Sequence, residues 1–321
     1  MRHLFIINPV AKRIKGKTKK IKDKIHAFFK EYPDLDYDIF ESRWCRDFLT
    51  CIRRYISDTS EAVRIHAIGG NGTLFEAVNS IVGLSNVEVA AYPYGSANAF
   101  LRYFGSKNEK HFLSLESMVF SKTIPLDIIR CGNNYGVGFA IAGMEAFANM
   151  KGDEWIEKGV PEDIAYVSAA IIQLFRGRAS QRYFIEIDGV KIEGDFISVL
   201  VANAPCYGKA MHAAVDAHPD DGMLHVYVFK NASALKLLST IPVYTKGGYL
   251  KLPEMVIHRK AKKIKLSSDK VMCMSIDGQT MYGTSIEYEL MPHAINFVCP
   301  SKVDISKLPR IFGKPKEGFR I

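Results

Sequence analysis

Along the first 127 residues, short apolar runs alternate with segments in which apolar residues recur at helical spacing. Short apolar runs rich in β-branched residues predict strands over residues 4–7, 35–40, 63–68 and 87–91. Between them, apolar residues at helical spacing predict helices over residues 18–30, 46–57 and 73–82. Strands that alternate with helices predict an α/β domain with a mainly parallel sheet, and they place ligands at the carboxyl ends of the strands.

The pattern changes at about Leu126, where short strand-like runs with turn residues become dominant. The predicted strands are 126–130, 134–140, 183–187, 196–202, 224–229, 263–266, 273–276, 285–290 and 295–298, with helices over 163–175 and 232–243. This pattern predicts a β-rich second domain, sandwich-like or barrel-like. We therefore predict an α/β domain over residues 1–127, a β-rich domain over 128–300, and a tail over 301–321 that is disordered or folded back on the first domain.

Composition is typical of a globular protein of two domains, with 321 residues of which 48% are hydrophobic and 24% charged. No apolar run approaches the roughly 18–20 residues that a membrane span needs. The first nine residues predict a strand and not a signal peptide, because no small-residue cleavage site follows them. Six scattered cysteines without a Cys-x-x-Cys predict a reducing cytoplasm and argue against a zinc site.

The net charge of +9 is concentrated in an N-terminal basic cluster (residues 12–24) and a C-terminal basic cluster (residues 258–265). A polyphosphate, an anionic membrane surface or a nucleic acid would each complement such charge. The lysines of residues 19–24 are also typical of a solvated helix face. We expect no nucleic-acid partner, because the chain has no zinc finger, aromatic RNP pattern or long basic arm.

A glycine-rich loop, Gly69–Thr73, carries the first candidate chemistry. It lies between a predicted strand and a predicted helix, an arrangement that turns backbone N–H groups and a helix dipole toward a phosphate. The loop therefore predicts a nucleotide site, with a purely structural turn as the alternative.

Four other motifs are each compatible with an ordinary turn. Asn8-Pro9 ends the first strand, and Pro93–Phe100 contains Gly95, Ser96 and Asn98. Asp220-Asp221-Gly222 pairs two carboxylates that can hold Mg²⁺ or Ca²⁺. Asp277-Gly278-Gln279 follows a strand and is typical of a hairpin turn.

Together and in this order, the five motifs resemble the diacylglycerol kinase catalytic-domain family, which includes bacterial diacylglycerol kinases and the related sphingosine and ceramide kinases. The resemblance spans the chain from Asn8 to about Pro300. It implies an ATP-dependent lipid kinase that uses Mg²⁺, with an α/β domain and a β-rich domain flanking a cleft. ATP would lie on the glycine loop, and the lipid hydroxyl would enter from the second domain.

The resemblance also implies the site residues. Those implied for ATP are Asn8, Pro9, Val10, Ala11, Lys12, Ser42, Gly69, Gly70, Asn71, Gly72, Thr73 and Ser96. Asp221, with backbone carbonyls near His218 and Met223, matches a structural Mg²⁺ site. The residues implied for catalysis are Gln279, Asn71, Asp277 and Asp127, of which Gln279 falls on the family's catalytic glutamate.

Three residues depart from the family pattern in its chemistry. Asn71 and Gln279 replace carboxylates by amides, and Ala99 replaces an aspartate. An amide keeps the shape of the carboxylate but loses its charge and its ability to accept a proton. A nucleotide- or lipid-binding protein without turnover is therefore the alternative to an active kinase, unless Asp277, Asp127 or Glu145 takes the role of the missing carboxylates. A kinase for a soluble substrate such as a dinucleotide is a third hypothesis.

From these observations we expect a cytoplasmic protein, peripheral to the inner membrane face, that phosphorylates a lipid. Diacylglycerol is the default substrate because it is the commonest bacterial one that the resemblance implies. Either basic cluster would supply contact with anionic lipid. The oligomeric state is left open.

Overall fold

The computed structural model describes residues 1–44, 47–175, 180–206, 214–244, 248, 252–305 and 308. Its first part alternates strands and helices. These are β1 (Arg2–Ile7), α1 (Thr18–Glu31), β2 (Asp36–Glu41), α2 (Asp47–Ser57), β3 (Val63–Gly69), α3 (Asn71–Ile81) and β4 (Val87–Pro93). β1 pairs in parallel with β2 and β3, and β3 pairs in parallel with β4, so the carboxyl ends of all four strands meet at one edge.

The predicted elements of this part differ from the observed ones by a few residues. The difference that matters for the glycine loop is at α3, which begins at Asn71 and not at Thr73, because the extended Gly70 is already its N-cap. Gly72 and Thr73 therefore lie in the first turn of the helix. Position 46, where the second predicted helix began, lies outside the described residues.

Two 3₁₀ turns, Phe100–Phe104 and Ser106–Asn108, and two short helices, α4 (Glu109–Phe112) and α5 (Leu115–Phe120), lead to a second part that is mainly strand. Its strands are β5 (Thr123–Cys131), β6 (Asn134–Gly136), β7 (Phe139–Gly143), β8 (Gln181–Ile187), β9 (Val190–Ala202), β10 (Leu224–Lys230), β11 (Val256–Ala261), β12 (Lys263–Ile276) and β13 (Gln279–Val298). Its helices are α6 (Met144–Glu157), α7 (Glu162–Phe175) and α8 (Ala234–Tyr244).

Three sequence predictions for this part were wrong. The run 134–140 is two strands, because the chain leaves the sheet at residues 137–138 to bind the Asp277 carboxylate. The runs 263–266 and 273–276 belong to one strand, and the runs 285–290 and 295–298 belong to another. In each strand a local register shift keeps the polar residues between the two runs within the sheet. Helix α6 and strand β11 were not predicted.

Strand β13 joins the two parts. It pairs in parallel with β4, at Asn296↔Glu88 and Phe297↔Val89, and in antiparallel fashion with β5 and β12. Hydrogen bonds thus link the strands into a single sheet of thirteen. The predicted parallel arrangement describes β1–β4, whereas the sheet as a whole is mixed, with its antiparallel pairs in the second part.

Two main hydrophobic cores lie along this sheet. The first packs β1, β3 and β4 against α1–α3 and includes Phe5, Ile65 and Phe297. The second lies among β8–β10, β12 and β13 and includes Tyr183 and Tyr288. Val303 and Leu308, from the start of the C-terminal tail, belong to the first core, while residues 306–307 and 309–321 lie outside the described part of the chain. Within the described residues, no helix is both long and apolar enough to span a membrane.

Candidate active site

The glycine loop is pressed against the loop that follows β4. The Tyr94 N–H donates to the Gly69 carbonyl at 2.9 Å. A Cβ on Gly95 would lie 2.4 Å from the Gly70 Cα, and a Cβ on Gly69 would lie 2.1 Å from the Thr73 Oγ1. Gly95 is required because two backbones approach to a distance that excludes any side chain, and Gly69 because the Thr73 side chain occupies the space of its Cβ.

Two asparagines fix the loop after β4. Asn98 has a positive φ of 48°, and its Oδ1 accepts from the Gly95 N–H at 2.9 Å while its Nδ2 donates to the Gly95 carbonyl at 3.1 Å. The Asn71 Oδ1 accepts from the Ala99 N–H at 2.9 Å. Asn71 therefore holds the two loops together with the same oxygen that a carboxylate would offer. Ser96 lies exposed at the tip of the loop.

Asn8 connects the end of β1 to the glycine loop. Its N–H donates to the Ile68 carbonyl at 3.0 Å, and its Nδ2 donates to the Thr73 Oγ1 at 3.3 Å. The Ser42 N–H donates to the Ile7 carbonyl at 3.0 Å. The structure thus brings the predicted residues Asn8, Ser42, Gly69–Thr73 and Ser96 to the carboxyl edge of the parallel strands.

The turn after Asn8 contains Pro9, Val10, Ala11 and Lys12, and it is fixed by the next residue, Arg13. The Asn8 Oδ1 accepts from the Val10 N–H at 3.2 Å. The Arg13 N–H donates to the Tyr94 carbonyl at 3.0 Å, its guanidinium donates to the Pro93 carbonyl at 3.1 Å, and it forms an ion pair with Glu109. Sequence reasoning missed this role because nothing in the sequence distinguishes Arg13 from the lysines around it.

The Asp277 turn belongs to the second part of the chain. Asp277 has a φ of 44°, and its carboxylate accepts from the N–H groups of Val137, Gly138 and Phe139 at 2.7, 3.1 and 3.0 Å. Burial raises the pKa of Asp277 to about 6, although the three N–H donors stabilise the charged carboxylate and act to lower its pKa. Both oxygens of Asp277 are therefore engaged in holding this segment in place.

Gln279 brings the second part of the chain to the glycine loop. Among the residues that the structure describes, a Cβ built on Gly72 would meet one neighbour within 4 Å, the Gln279 Nε2, at 4.0 Å. The predicted nucleotide loop and the predicted catalytic turn, which are about 200 residues apart in sequence, thus face one another. The space beside Gly72 is open on the loop side, in contrast to the contact at Gly70 and Gly95.

Asp127 lies on β5 and is fully buried. Its Oδ2 accepts from the Gly222 N–H and its Oδ1 from the His293 N–H, both at 2.9 Å. The Asn203 Nδ2 donates to the carbonyls of Asp127 and Val137, at 2.8 and 2.9 Å. These bonds connect the Asp220–Gly222 turn to the segment that holds Asp277. Asn203 was not predicted, because an isolated asparagine after a strand carries no sequence signal.

The predicted Mg²⁺ residues share one turn. The Asp221 N–H donates to the His218 carbonyl at 3.3 Å, and the Asp221 Oδ1 accepts from the Met223 N–H at 3.0 Å. The side chain of Asp221 is 20% exposed. A carboxylate and backbone carbonyls are the hard oxygen ligands that suit Mg²⁺, so the residues present fit this ion. Glu145, the remaining alternative carboxylate, lies in the first turn of α6, where its N–H donates to the Ser198 Oγ at 3.1 Å.

Comparison with known families matches both parts of the chain. Residues 2–131 match the diacylglycerol kinase catalytic domain, and residues 138–299 match the YegS C-terminal NAD kinase beta sandwich-like domain. Two relatives named "putative lipid kinase", from Staphylococcus aureus strains JH9 and Newman, are each 23% identical over 257 residues, which is 80% of this chain and 82% of the relative.

Solved structures share the fold. A crystal structure of a "putative diacylglycerol kinase" from Bacillus anthracis str. Sterne superposes with a TM-score of 0.71 at 19% identity, covering 94% of this chain and 98% of the other. A second crystal structure from that strain, described as a diacylglycerol kinase, has a TM-score of 0.68 with the same coverage. The resemblance inferred from five motifs is confirmed: the chain belongs to the diacylglycerol kinase catalytic-domain family of lipid kinases.

Proposed function

We propose that this chain transfers the γ-phosphate of ATP to the hydroxyl of a diacylglycerol-like lipid at a membrane surface. The observation that carries the proposal is the approach of Gln279 to Gly72, because it joins the glycine loop of one part to the catalytic turn of the other. A site assembled from both parts would hold a nucleotide on one side and an acceptor on the other.

The nucleotide side is built mainly from the backbone. Helix α3 has eleven residues, and the N–H groups of its first turn, at Asn71, Gly72 and Thr73, have no partners within the helix. They lie beside the open space at Gly72, where the helix dipole favours negative charge. Asn8 and Ser42 flank this space at the ends of β1 and β2. A triphosphate on this edge would be held without any requirement for a carboxylate.

For Mg²⁺, the proposed ligands are Asp221 and the backbone carbonyls of His218 and Met223. They match the structural Mg²⁺ site that the resemblance implies, whereas a Mg²⁺ ion bound with the nucleotide would neutralise negative charge on phosphate oxygens. Asn71 and Gln279 also offer carbonyl oxygens, but these carry no charge. We therefore expect the two amides to hold the ion more weakly than carboxylates would.

For the acceptor hydroxyl, Gln279 is the residue placed to orient it by a hydrogen bond. Asp277 and Asp127 each accept backbone hydrogen bonds on both oxygens, which makes them positioning residues in this proposal. Phosphoryl transfer depends mainly on positioning and electrostatic stabilisation. The lack of a carboxylate base at position 279 is therefore expected to slow turnover about 10²–10⁴-fold and not to abolish it.

The proposal is tested by incubating the chain with ATP labelled at the γ-phosphate, Mg²⁺ and a total lipid extract. We expect one labelled species that partitions into the organic phase, and its identity names the lipid. Label that appears only in a water-soluble product would contradict a lipid acceptor and favour a soluble substrate.

A parallel titration with ATP separates binding from turnover. Saturable ATP binding without any labelled product would contradict the proposed activity and leave a binding protein. The variant Gly72→Ala serves as the matched control, since its added Cβ occupies the space proposed for phosphate. We expect it to fold normally and to lose ATP affinity.

A further inference from the structure

A cluster of two histidines and one aspartate lies in the second part, outside the proposed kinase site. His225 is on β10, His258 is on β11, and Asp216 precedes the Asp220–Gly222 turn. His225 and Tyr227 point to one face of β10, and His258 lies directly opposite Tyr227 in the antiparallel register. The sheet register therefore fixes both histidines beside Asp216.

Three potential ligand atoms in this cluster form a nearly equilateral triangle. The His225 Nδ1 lies 3.2 Å from the Asp216 Oδ2, the His258 Nε2 lies 3.4 Å from the same oxygen, and the two nitrogens are 3.3 Å apart. Ligands about 2.0–2.1 Å from a tetrahedral zinc ion are separated by about 3.3 Å. The triangle thus has the dimensions of three corners of a zinc coordination tetrahedron.

We propose that Asp216, His225 and His258 bind a divalent transition-metal ion, with Zn²⁺ as the ion that fits best. Two imidazole nitrogens and one carboxylate oxygen suit zinc and disfavour Mg²⁺, which prefers an all-oxygen environment. The three ligands of this site differ from the proposed Mg²⁺ ligands, although one of the latter, Asp221, contacts His225. It goes beyond the lipid kinase function and does not depend on turnover.

Outer contacts orient the three ligands as metal sites require. The Asp221 Oδ2 lies 3.0 Å from the His225 Nε2, so it can accept a proton carried on Nε2 while the Nδ1 lone pair binds a metal. The Tyr227 hydroxyl donates to the other oxygen of Asp216, Oδ1. The ring of His258 stacks on Tyr227 with centroids 4.5 Å apart. Each ligand is thus held by a neighbour that is not itself a ligand.

Hydrogen bonds alone explain this arrangement less well. If both histidines donated to the Asp216 Oδ2, two N–H groups would converge on one oxygen with their nitrogens only 3.3 Å apart. The His258 N–O distance of 3.4 Å also exceeds the roughly 2.7–3.2 Å range of an N–H···O bond, and the His225 distance of 3.2 Å lies at its upper end. A cation at the centre would attract all three atoms at once.

Within the described part of the chain, the cluster is more accessible at His258 than at its other two members. The side chain of His225 is fully buried and that of Asp216 is 10% exposed, whereas His258 is 21% exposed. Three protein ligands with an open side leave a fourth position for water or another ligand. The cysteine pattern argued against a zinc site, but it carries no information about a site made of histidine and aspartate.

The test uses the full chain after treatment with a chelator. Zn²⁺ is titrated against a chromophoric chelator, and we expect one tightly bound ion per chain and a rise in melting temperature. His258→Phe keeps an aromatic ring against Tyr227 but removes one ligand, and it should lose this binding. Tyr227→Phe removes only an outer contact and should weaken affinity about 10–100-fold. His26→Gln, at an exposed histidine of α1, is the matched control and should bind as the wild type does.

Two results would overturn the proposal. The first is the absence of saturable binding at one ion per chain. The second is equal Zn²⁺ affinity in the wild type, His258→Phe and Tyr227→Phe. Melting curves recorded without metal show whether each variant is folded, and Tyr227→Phe provides the test if His258→Phe is not. Because ATP and lipid are absent, failure here leaves the kinase proposal unaffected.

Discussion

The two halves of the candidate site use backbone N–H groups in opposite ways. At the glycine loop, the first turn of α3 presents N–H groups beside open space at Gly72. In the second part, the N–H groups of Val137–Phe139 and Gly222 are bound by the protein's own carboxylates, Asp277 and Asp127. One half thus offers donors to an external anion, whereas the other half is held rigid by internal anions. Loss of carboxylates at positions 71 and 279 leaves this internal framework intact.

The largest expected effect comes from removing an internal anion. Asp127→Ala removes the fully buried carboxylate that accepts from the Gly222 and His293 N–H groups, and each such hydrogen bond to a charged acceptor contributes about 1–3 kcal/mol. We expect a loss of about 2–6 kcal/mol in the free energy of unfolding, measured by urea denaturation.

Asp188→Ala is the matched control for this change. Asp188 also accepts from two backbone N–H groups, those of Lys262 and Lys263, but it is exposed, so water can replace it. We expect a loss of less than about 1 kcal/mol. Equal losses of stability in Asp127→Ala and Asp188→Ala would contradict the claim that burial of the carboxylate determines the size of the loss.

The pH dependence of stability should have opposite signs in the two parts. The pKa of Asp277 is raised to about 6 by burial, so its contribution to stability is present below its unfolded pKa of about 4 and is lost as pH rises through 6. Relative to Asp277→Asn, the free energy of unfolding of the wild type should rise by about 2 kcal/mol between pH 7 and pH 4.

In the first part, His3 behaves in the opposite way. It contacts His66, which contacts Tyr92, with no carboxylate among them. Burial lowers the pKa of His3 to about 4, so its contribution is present above the unfolded pKa of about 6.5 and is lost as pH falls through 4. Relative to His3→Gln, the free energy of unfolding of the wild type should fall by about 3 kcal/mol between pH 7 and pH 4. Parallel pH profiles for the two variant pairs, measured by denaturation, would contradict this contrast.

The glycine loop should tolerate a methyl group only where the space is open. In Gly95→Ala the Cβ would meet the Gly70 Cα at 2.4 Å, and we expect a loss of about 1–3 kcal/mol in stability together with loss of ATP binding. Gly72→Ala has room for its Cβ and lies in a helix, so its stability should be unchanged or higher by up to about 1 kcal/mol. A Gly95→Ala variant as stable as Gly72→Ala would refute the close contact of the two loops.

The smallest effects are expected at the basic clusters. In the C-terminal basic cluster, Lys263 pairs with Glu287 and Lys265 with Glu186. In the N-terminal basic cluster, Lys19 and Lys20 are exposed and have no ion pair within the described part of the chain. Each lysine near an anionic membrane contributes about 1 kcal/mol. The double variant Lys19→Gln, Lys20→Gln should therefore sediment with anionic vesicles about 30-fold more weakly, whereas Lys263→Gln, Lys265→Gln should change less. Equal binding of the wild type to neutral and anionic vesicles at low salt would contradict membrane contact through charge.

The sequence was sufficient to predict the alternating elements of the first part and the five motifs. The pattern of each of these elements depends only on residues close in sequence. Three glycines within Gly69–Gly72 are also a clear local signal, because glycine is favoured where the backbone approaches another group closely. The contacts of Arg13, Asn203 and His258 were not predictable, because each depends on a partner brought close by the sheet. The strand break at residues 137–138 and the continuity of β12 through residues 267–272 were missed for the same reason, since the first follows from bonds to a distant side chain and the second from sheet register.

The central claim is that these two halves form a working lipid kinase despite the amides at positions 71 and 279. The most direct measurement compares the wild type with the double variant Asn71→Asp, Gln279→Glu for transfer of labelled γ-phosphate to lipid. The account predicts labelled lipid from the wild type and faster labelling from the variant. Labelled lipid from the variant alone, with ATP bound by both, would contradict the claim and identify a binding protein that has kept the site and lost its turnover.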